Sequence, residues 1–419
     1  MSEIILHPTR LKGTVEIPPS KSLAHRAIIC ASLVNGISTI SHIEYSQDIL
    51  ATIGAMEALG TKIEKHDDYL IIDGSTTYTK QDITIDCKES GSTVRFMIPI
   101  SIVKENKVRL IGEGNLGKRP LNIFYDIFEK QNIKYSYTKD LLDLHIDGKL
   151  RGGSFEVPGN ISSQFITGLL FALPLLEEDS VIYITTHMES KGYIDLTLAM
   201  LKLFGIEIIN DHYQKFIIKG KQQYKANNYY VEADYSQAAF YLVADALGNE
   251  VVLKGLNLNS VQGDAVGLDL LKQMGCLIEN TKEGIILKAD QLKSIIIDGS
   301  QCPDIIPVMS LALSQAKGTS EVINSERLRI KECDRLKATH DELTKLGIKV
   351  IEKQDGLVIE GGSIQGNNTS SWNDHRMAMT LAIASTIASQ DIIIDNRECV
   401  RKSYPSFWDD FKKLGGNYE

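Results

Sequence analysis

The chain is short of cysteine, of long apolar runs and of positive charge. Six cysteines in 419 residues (Cys30, Cys87, Cys276, Cys302, Cys333, Cys399) include no CxxC pair. That argues against both structural zinc and a disulfide framework. The nine histidines include no HExxH, so no metal site is expected. No stretch approaches 18 uncharged apolar residues, which excludes a membrane-spanning helix. The N-terminal MSEIILHPTRLKG has no basic segment followed by an apolar one, and a cytoplasmic location is expected. Lysine and arginine number 45 against 54 acids, for a net charge of −9. Such a balance argues against nucleic acid as a partner. It leaves open a small anionic ligand, because the charge lining a pocket decides that. What the chain does have is 43% hydrophobic residues, enough for large cores, which excludes intrinsic disorder.

A unit of roughly 70 residues recurs along the whole chain. An amphipathic helix, a glycine and two short strands appear in DILATIGAMEALGTKIEKHDDYLIIDG (48–74) and IDLTLAMLKLFGIEIINDHYQKFIIKG (194–220). Residues 268–288 and 333–361 repeat the pattern, and 121–148 carries Asn132 in place of the glycine. Either residue tolerates the left-handed conformation that closes a helix. A truncated sixth copy, FWDDFKKLGGNYE, lacks partner strands, and the N-terminal EIILHP could supply one. A second series of junctions keeps the same period: PSKS (19–22), ESGS (89–92), ISSQ (161–164), DYSQ (234–237), CPDI (302–305) and NDHR (373–376). Each follows a short strand and opens a helix, so the unit reads βαβαββ. Single cores stop growing near 250–300 residues, which favours three units in each of two α/β domains. The boundaries expected from the repeat are 20–232 for one domain, with 1–19 and 233–419 forming the other.

The junctions hold the residues that carry chemistry. A serine or aspartate at a helix start is ordinarily a cap, but helix starts also attract anions. Lys21, Ser22 and Arg26 fall within one and a half turns of the first start. Gly91 would let a backbone approach a ligand at the second, with Arg95 one turn on. Arg119 precedes Pro120, a residue suited to a helix's first turn. Ser162, Ser163, Gln164, Ser190 and Tyr193 supply neutral donors. In the second half, Asp304 stands beside a long apolar run, where a carboxylate would be partly desolvated. Lys331 and Arg335 are spaced i, i+4 on one face with Glu332 beside them. Arg376 heads a nearly charge-free helix, and Arg401 and Lys402 precede Tyr404-Pro405. Together these groups describe a cleft between the domains for a polyanionic small substrate, with arginines as clamps and carboxylates for proton transfer.

IPPSKSLAHRA, SGSTVRF, GKRPL, ISSQFITGLL, SKGYIDLTL, PDIIPV, RIKECDRL, NDHRMAM and RKSYPSF occur here in one order and spacing. In this the sequence resembles the 5-enolpyruvylshikimate-3-phosphate synthases over essentially its full length. The resemblance implies the enolpyruvyl transferase fold: two domains, each of three βαβαββ copies, with an interdomain cleft and the N-terminal strand region joined to the C-terminal domain. It implies transfer of the enolpyruvyl group of phosphoenolpyruvate to the 5-hydroxyl of 3-phosphoshikimate. Carried over by motif, Lys21, Ser22, Arg26, Ser162, Ser163, Gln164, Ser190, Tyr193, Asp304 and Lys331 would bind 3-phosphoshikimate. Lys21, Gly91, Arg119, Gln164, Arg335, Arg376 and Lys402 would bind phosphoenolpyruvate. Asp304, Glu332 and Lys21 would be catalytic, with Asp304 taking the proton of the attacking hydroxyl and Glu332 serving the enolpyruvyl carbon. No cofactor is implied, and a monomer is expected.

Three positions depart from the family's common pattern. Glu89 stands where many members have Asn, Phe96 where many have Pro, and Arg327 where some have an Asn that touches 3-phosphoshikimate. An acid at 89 would oppose an anion site unless it points away. The alternative is the related transferase acting on UDP-N-acetylglucosamine. That enzyme carries a reactive cysteine near the position of Arg119, whereas residues 105–120 contain none.

Overall fold

The computed structural model describes residues 3–419. The described residues form twelve α-helices and six four-stranded sheets, joined by 3₁₀ turns and loops. One complete repeat shows how each sheet is made. Strand Ile83–Asp86 leads through helix Gly91–Ser101 to the parallel strand Asn106–Ile111, with Ile83 opposite Val108. A parallel return needs such a crossover. Helix Asn122–Gln131 then leads into the hairpin Lys134–Tyr137 and Asp143–Gly148. The second hairpin strand inserts antiparallel beside Asn106–Ile111, leaving the first at the edge. The sheets covering 153–218 and 296–360 follow the same order.

The alternation of side chains sets which face is buried. In Asn106–Ile111, Val108 and Leu110 are buried while Lys107 and Arg109 face solvent. The helices after each first strand are apolar nearly all round, as in Ser163–Ala172, where only Gln164 escapes full burial. Such helices belong in a core. Each helix that precedes a hairpin is closed by a left-handed residue, Gly60, Asn132, Gly205, Gly275 or Gly347, and Gly415 does the same after Phe407–Lys413. Asn132 (φ 55, ψ 35) thus does what the glycines do elsewhere, as its place in the repeat suggested.

The chain divides into two compact units, one of Lys21–Val231 and one combining residues up to Ser20 with Glu232–Glu419. Each has its own apolar core. In the first unit the sheet of Ile37–Ser41, Tyr69–Asp73 and Lys62–Lys65 obtains its remaining strand from Tyr229–Tyr230, parallel to Ile37–Ser41. In the second, Lys12–Glu16 does the same for Glu250–Lys254, with Lys12 opposite Glu250. The sixth sheet is completed by Ile4–His7, which pairs with Ile392–Ile394 and Asn417–Tyr418. EIILHP therefore supplies the missing strand. The strands at 12–16 and 229–230 stand ahead of junctions PSKS and DYSQ as the repeat expects, whereas their pairing with Glu250–Lys254 and Ile37–Ser41 does not follow from it.

Candidate functional site

In the unit Lys21–Val231, side chains of the first helical turns are tied together. Lys21 opens helix Lys21–Ser32 and its Nζ lies 2.8 Å from Asp48 Oδ2, at the start of helix Gln47–Leu59. Ser22 follows in the same turn, and its carbonyl accepts from Arg26 Nη1 (2.7 Å). Arg26 also donates from Nε to Thr197 Oγ1 (2.9 Å) and from Nη2 to the Tyr193 carbonyl (3.0 Å), and it stacks over Phe96. Burial pushes its pKa down to about 10, so it stays cationic at neutral pH. Arg26 is thus a buried strut between helices Lys21–Ser32 and Lys191–Leu203. Phe96, at the position where proline was noted, serves as the platform beneath it.

Helix Gly91–Ser101 is capped by Ser90, whose Oγ accepts from Thr93 N. A Cβ on Gly91 would stand 2.6 Å from Arg119 Cζ, so the absence of a side chain is what lets the guanidinium lie on the helix start. Gly168 has the matching role in the neighbouring helix. A Cβ there would collide with the Arg95 carbonyl, so helices Ser163–Ala172 and Gly91–Ser101 touch backbone to side. Their closeness puts Gln164 between two partners: it accepts from Arg95 Nη1 (2.7 Å) and donates to Ser92 Oγ (2.9 Å). Ser162 caps the Ser163–Ala172 helix, and Ser163 is its buried first residue. Ser190 holds a left-handed conformation (φ 51) ahead of helix Lys191–Leu203. A cavity of about 270 Å³ opens beside it, lined by Thr186, His187, Met188, Lys191, His212 and Tyr213 among others. Glu89 turns toward Gly114, where its carboxylate would meet any Cβ placed on that residue.

In the other unit a cluster of acids and cations surrounds Asp304. Its Oδ1 lies 3.0 Å from Arg335 Nη1 and 3.7 Å from Lys331 Nζ, and its Oδ2 is 3.5 Å from Arg376 Nη2. Arg335 also donates from Nε to Asp374 Oδ2 (2.8 Å) and from Nη2 to Glu332 Oε2 (2.9 Å). Lys402 Nζ reaches Glu332 Oε1 at 3.8 Å. Arg376 is further fixed by the carbonyl and hydroxyl of Ser236, both at 2.8 Å. Four cations thus meet three carboxylates, which favours an added anion. The side chains of Asp304 and Lys331 remain 24% and 23% exposed, whereas that of Arg335 is 1% exposed. A ligand would therefore meet Asp304 and Lys331 before Arg335.

Desolvation alone would raise the Asp304 pKa. Lys331, Arg376 and Arg335 outweigh it and hold the carboxyl well below the usual carboxylate range. The expected desolvated aspartate is present, but it is firmly ionised. Burial, helped by Arg327 and Arg335, pushes Lys331 down to about 8 against the opposing pull of Asp304 and Glu332. Burial likewise opposes the charge of Arg335, but Asp374, Glu332 and Asp304 raise its pKa well above the ordinary value.

Several local expectations need correction. Lys331 and Arg335 do not share a helix face: helix Arg335–Lys345 begins at Arg335, and Lys331 has extended backbone after the 3₁₀ turn Glu326–Ile330. Asp304 is what brings the two cations together. Nor is Asp304 a helix cap, since Ile305 holds that position before Ile306–Leu313. Pro120 lies outside the first turn of its helix, which starts at Asn122, and its carbonyl accepts from Arg95. Arg401 sits on the surface paired with Glu398, apart from the buried Lys402. Arg327 is buried and donates to the Ser300 carbonyl (2.7 Å). Asp48 and the Asp374–Arg335 pairing were missed. An acid in a first helical turn is commonplace, and nothing in DILATIG sets Asp48 apart.

Comparison with known proteins points one way. Residues 5–411 match the family profile of EPSP synthase (3-phosphoshikimate 1-carboxyvinyltransferase). A 3-phosphoshikimate 1-carboxyvinyltransferase of Clostridium beijerinckii is 56% identical over 100% of this chain and 99% of its own. The one from Clostridioides difficile is 53% identical, with 100% and 99% covered. Among solved structures, an EPSP synthase from Acinetobacter baumannii superposes with a TM-score of 0.83 at 25% identity, covering 100% of this chain and 99% of that one. The enolpyruvyl transferase NikO from Streptomyces tendae shares the fold at TM-score 0.80 and 14% identity, covering 100% and 98%. With a matching family profile across nearly all its residues and relatives more than half identical along its length, the chain belongs to the EPSP synthase family.

Proposed function

We propose that this protein transfers the enolpyruvyl group of phosphoenolpyruvate to the 5-hydroxyl of 3-phosphoshikimate and releases phosphate. In the addition, the hydroxyl oxygen bonds to C2 of phosphoenolpyruvate, its proton leaves, and C3 gains a proton. The resulting tetrahedral adduct then loses phosphate from C2 and a proton from C3, which restores the double bond. One observation carries the reading: Asp304 is held by Lys331, Arg335 and Arg376 in a single cluster with Glu332 and Lys402. That set combines anion grip with two carboxylates able to move protons.

Asp304 takes the hydroxyl proton in this reading. Alone, a carboxylate held so far down is a weak base. An incoming carboxylate or phosphate that engages Arg335 and Arg376 draws them from Asp304, and burial then raises its pKa toward the working range. Glu332, with Lys331 beside it, serves the enolpyruvyl carbon. Arg335, Arg376 and Lys402 are assigned to phosphoenolpyruvate, and so are Lys21, Gly91, Arg119 and Gln164. Lys21, Ser22, Arg26, Ser162, Ser163, Gln164, Ser190 and Tyr193 are assigned to 3-phosphoshikimate, as are Asp304 and Lys331. Arg26 and Arg335, already bonded to several protein partners, act as anchors whose bonds are partly exchanged on binding. The chemistry needs proton transfer and fixed charge, both supplied by these side chains, and we assign no cofactor. A monomeric cytoplasmic enzyme fits the reading.

Phosphate release by the purified protein tests the reading. Release is expected only when phosphoenolpyruvate and 3-phosphoshikimate are both present. No release with that pair, together with turnover when UDP-N-acetylglucosamine replaces 3-phosphoshikimate, would overturn it.

A further inference from the structure

His25, Thr52, Thr93 and Ser90 form a buried hydrogen-bonded chain that the proposed chemistry does not use. His25 Nδ1 lies 2.7 Å from Thr52 Oγ1, and Thr52 Oγ1 lies 2.7 Å from Thr93 Oγ1. Thr93 Oγ1 in turn donates to Ser90 Oγ at 2.8 Å, and Thr93 N donates to the same oxygen at 3.2 Å. All four residues are at most 1% exposed. The chain has a direction. Because Thr93 gives its hydroxyl hydrogen to Ser90, it accepts from Thr52, which accepts from His25 Nδ1–H. Nδ1 therefore carries a proton, and burial, which pushes the pKa down to about 3, leaves Nε2 unprotonated and the imidazole neutral.

What the chain connects gives it meaning. His25 follows Lys21 by four residues, and Thr52 follows Asp48 by four, so Lys21–Asp48 and His25–Thr52 are two rungs between the same pair of helices. Thr93 and Ser90 belong to the start of helix Gly91–Ser101, on which the Arg119 guanidinium rests. Helix Gln47–Leu59 thus ties the Lys21 helix to the Gly91 helix through one threonine hydroxyl. We infer that His25, Thr52 and Thr93 are positioning residues that fix the Gly91 helix start, and with it Arg119, for phosphoenolpyruvate. None of them touches substrate in this arrangement. A hydroxyl that both accepts and donates in a dry core is replaceable only by another hydroxyl. The inference rests on the proposed reaction, and the test keeps the two separable.

Thr52→Val keeps shape and removes both bonds, while Thr52→Ser keeps the hydroxyl. The assay is phosphate release with each substrate varied in turn, using full-length protein. Thr52→Val is expected to raise KM for phosphoenolpyruvate about tenfold and to leave KM for 3-phosphoshikimate within about twofold. Thr52→Ser should return both values to within about twofold of wild type. Thr93→Val cuts the chain at its next link and should give the same split, which covers the case of a Thr52→Val that does not fold. Unchanged KM for phosphoenolpyruvate in both valine variants would overturn the inference. So would an equal rise in both KM values, or a Thr52→Ser that behaves like Thr52→Val. If the wild-type protein itself turns over neither substrate, the proposed reaction fails instead.

Discussion

Replacing Gly91 by alanine should separate grip on the anion from stability of the fold. The new Cβ would stand 2.6 Å from Arg119 Cζ and 2.9 Å from Nη2. Such atoms normally meet at roughly 3.5 Å, so the guanidinium must retreat by about 1 Å. Retreat is easy for folding, because the obstacle is the far end of a flexible side chain. Gly91 also lacks positive φ, so alanine there gains up to ~1 kcal/mol of helix propensity. For binding, the same retreat weakens a charge-assisted contact worth about 1.5–3 kcal/mol, or roughly 10- to 150-fold. Steady-state phosphate release should show KM for phosphoenolpyruvate up by about that factor, with thermal midpoint unchanged or slightly higher. A double-mutant cycle sharpens the reasoning: with Arg119→Ala in place, Gly91→Ala should cost little more. A KM for phosphoenolpyruvate within twofold of wild type would refute the argument, as would full additivity in the cycle.

Asp304→Asn should lower kcat about 10²- to 10⁴-fold, with smaller changes in either KM. Glu332→Gln should behave similarly, and near-wild-type rates in either variant would remove its proposed role. Because Lys331 is held at about 8, activity that needs its ammonium should fall as pH rises through that value. Lys331→Arg, charged throughout, should abolish that alkaline limb in the kcat/KM profile. His25 has its pKa pushed to about 3 by burial, while an unfolded histidine titrates near ~6.5. Between those values the unfolded state binds the extra proton, so stability falls as pH drops from about 6.5 toward 3, by up to ~5 kcal/mol. Urea titrations of His25→Gln should show a flatter acid limb, and an unaltered one would place the acid sensitivity elsewhere.

Much of this architecture could be read from residue order because its local signals are redundant. The closing position of each pre-hairpin helix demands a left-handed backbone, so Gly60, Asn132 and Gly205 mark the repeat whatever lies between them. Strand alternation and apolar helices then agree with one another. The partners of the strands at Lys12–Glu16 and Tyr229–Tyr230 carry no such mark, since pairing between segments so far apart leaves no local trace. Site residues divide the same way. Arg376 and Asp304 stood out because charge beside an apolar helix is unusual. Asp48, Thr52 and Asp374 look like ordinary first-turn or interior residues until the structure shows what they touch. The low pKa of Asp304 was also beyond sequence. Its sign depends on three cations from 331, 335 and 376, and no spacing rule measures their distances.

The borrowed strands also set a timetable for synthesis. Translation runs from the N-terminus at about 5–20 residues per second. The sheet around Ile37–Ser41 stays one strand short until Tyr229–Tyr230 leaves the ribosome, after which the unit Lys21–Val231 has every strand it needs. Ile4–His7 and Lys12–Glu16, made before Ile37–Ser41, wait much longer. Lys12–Glu16 needs Glu250–Lys254, and Ile4–His7 needs both Ile392–Ile394 and Asn417–Tyr418. These early strands are thus among the last to find their places. At that rate of synthesis the partners of Ile4–His7 follow it by tens of seconds.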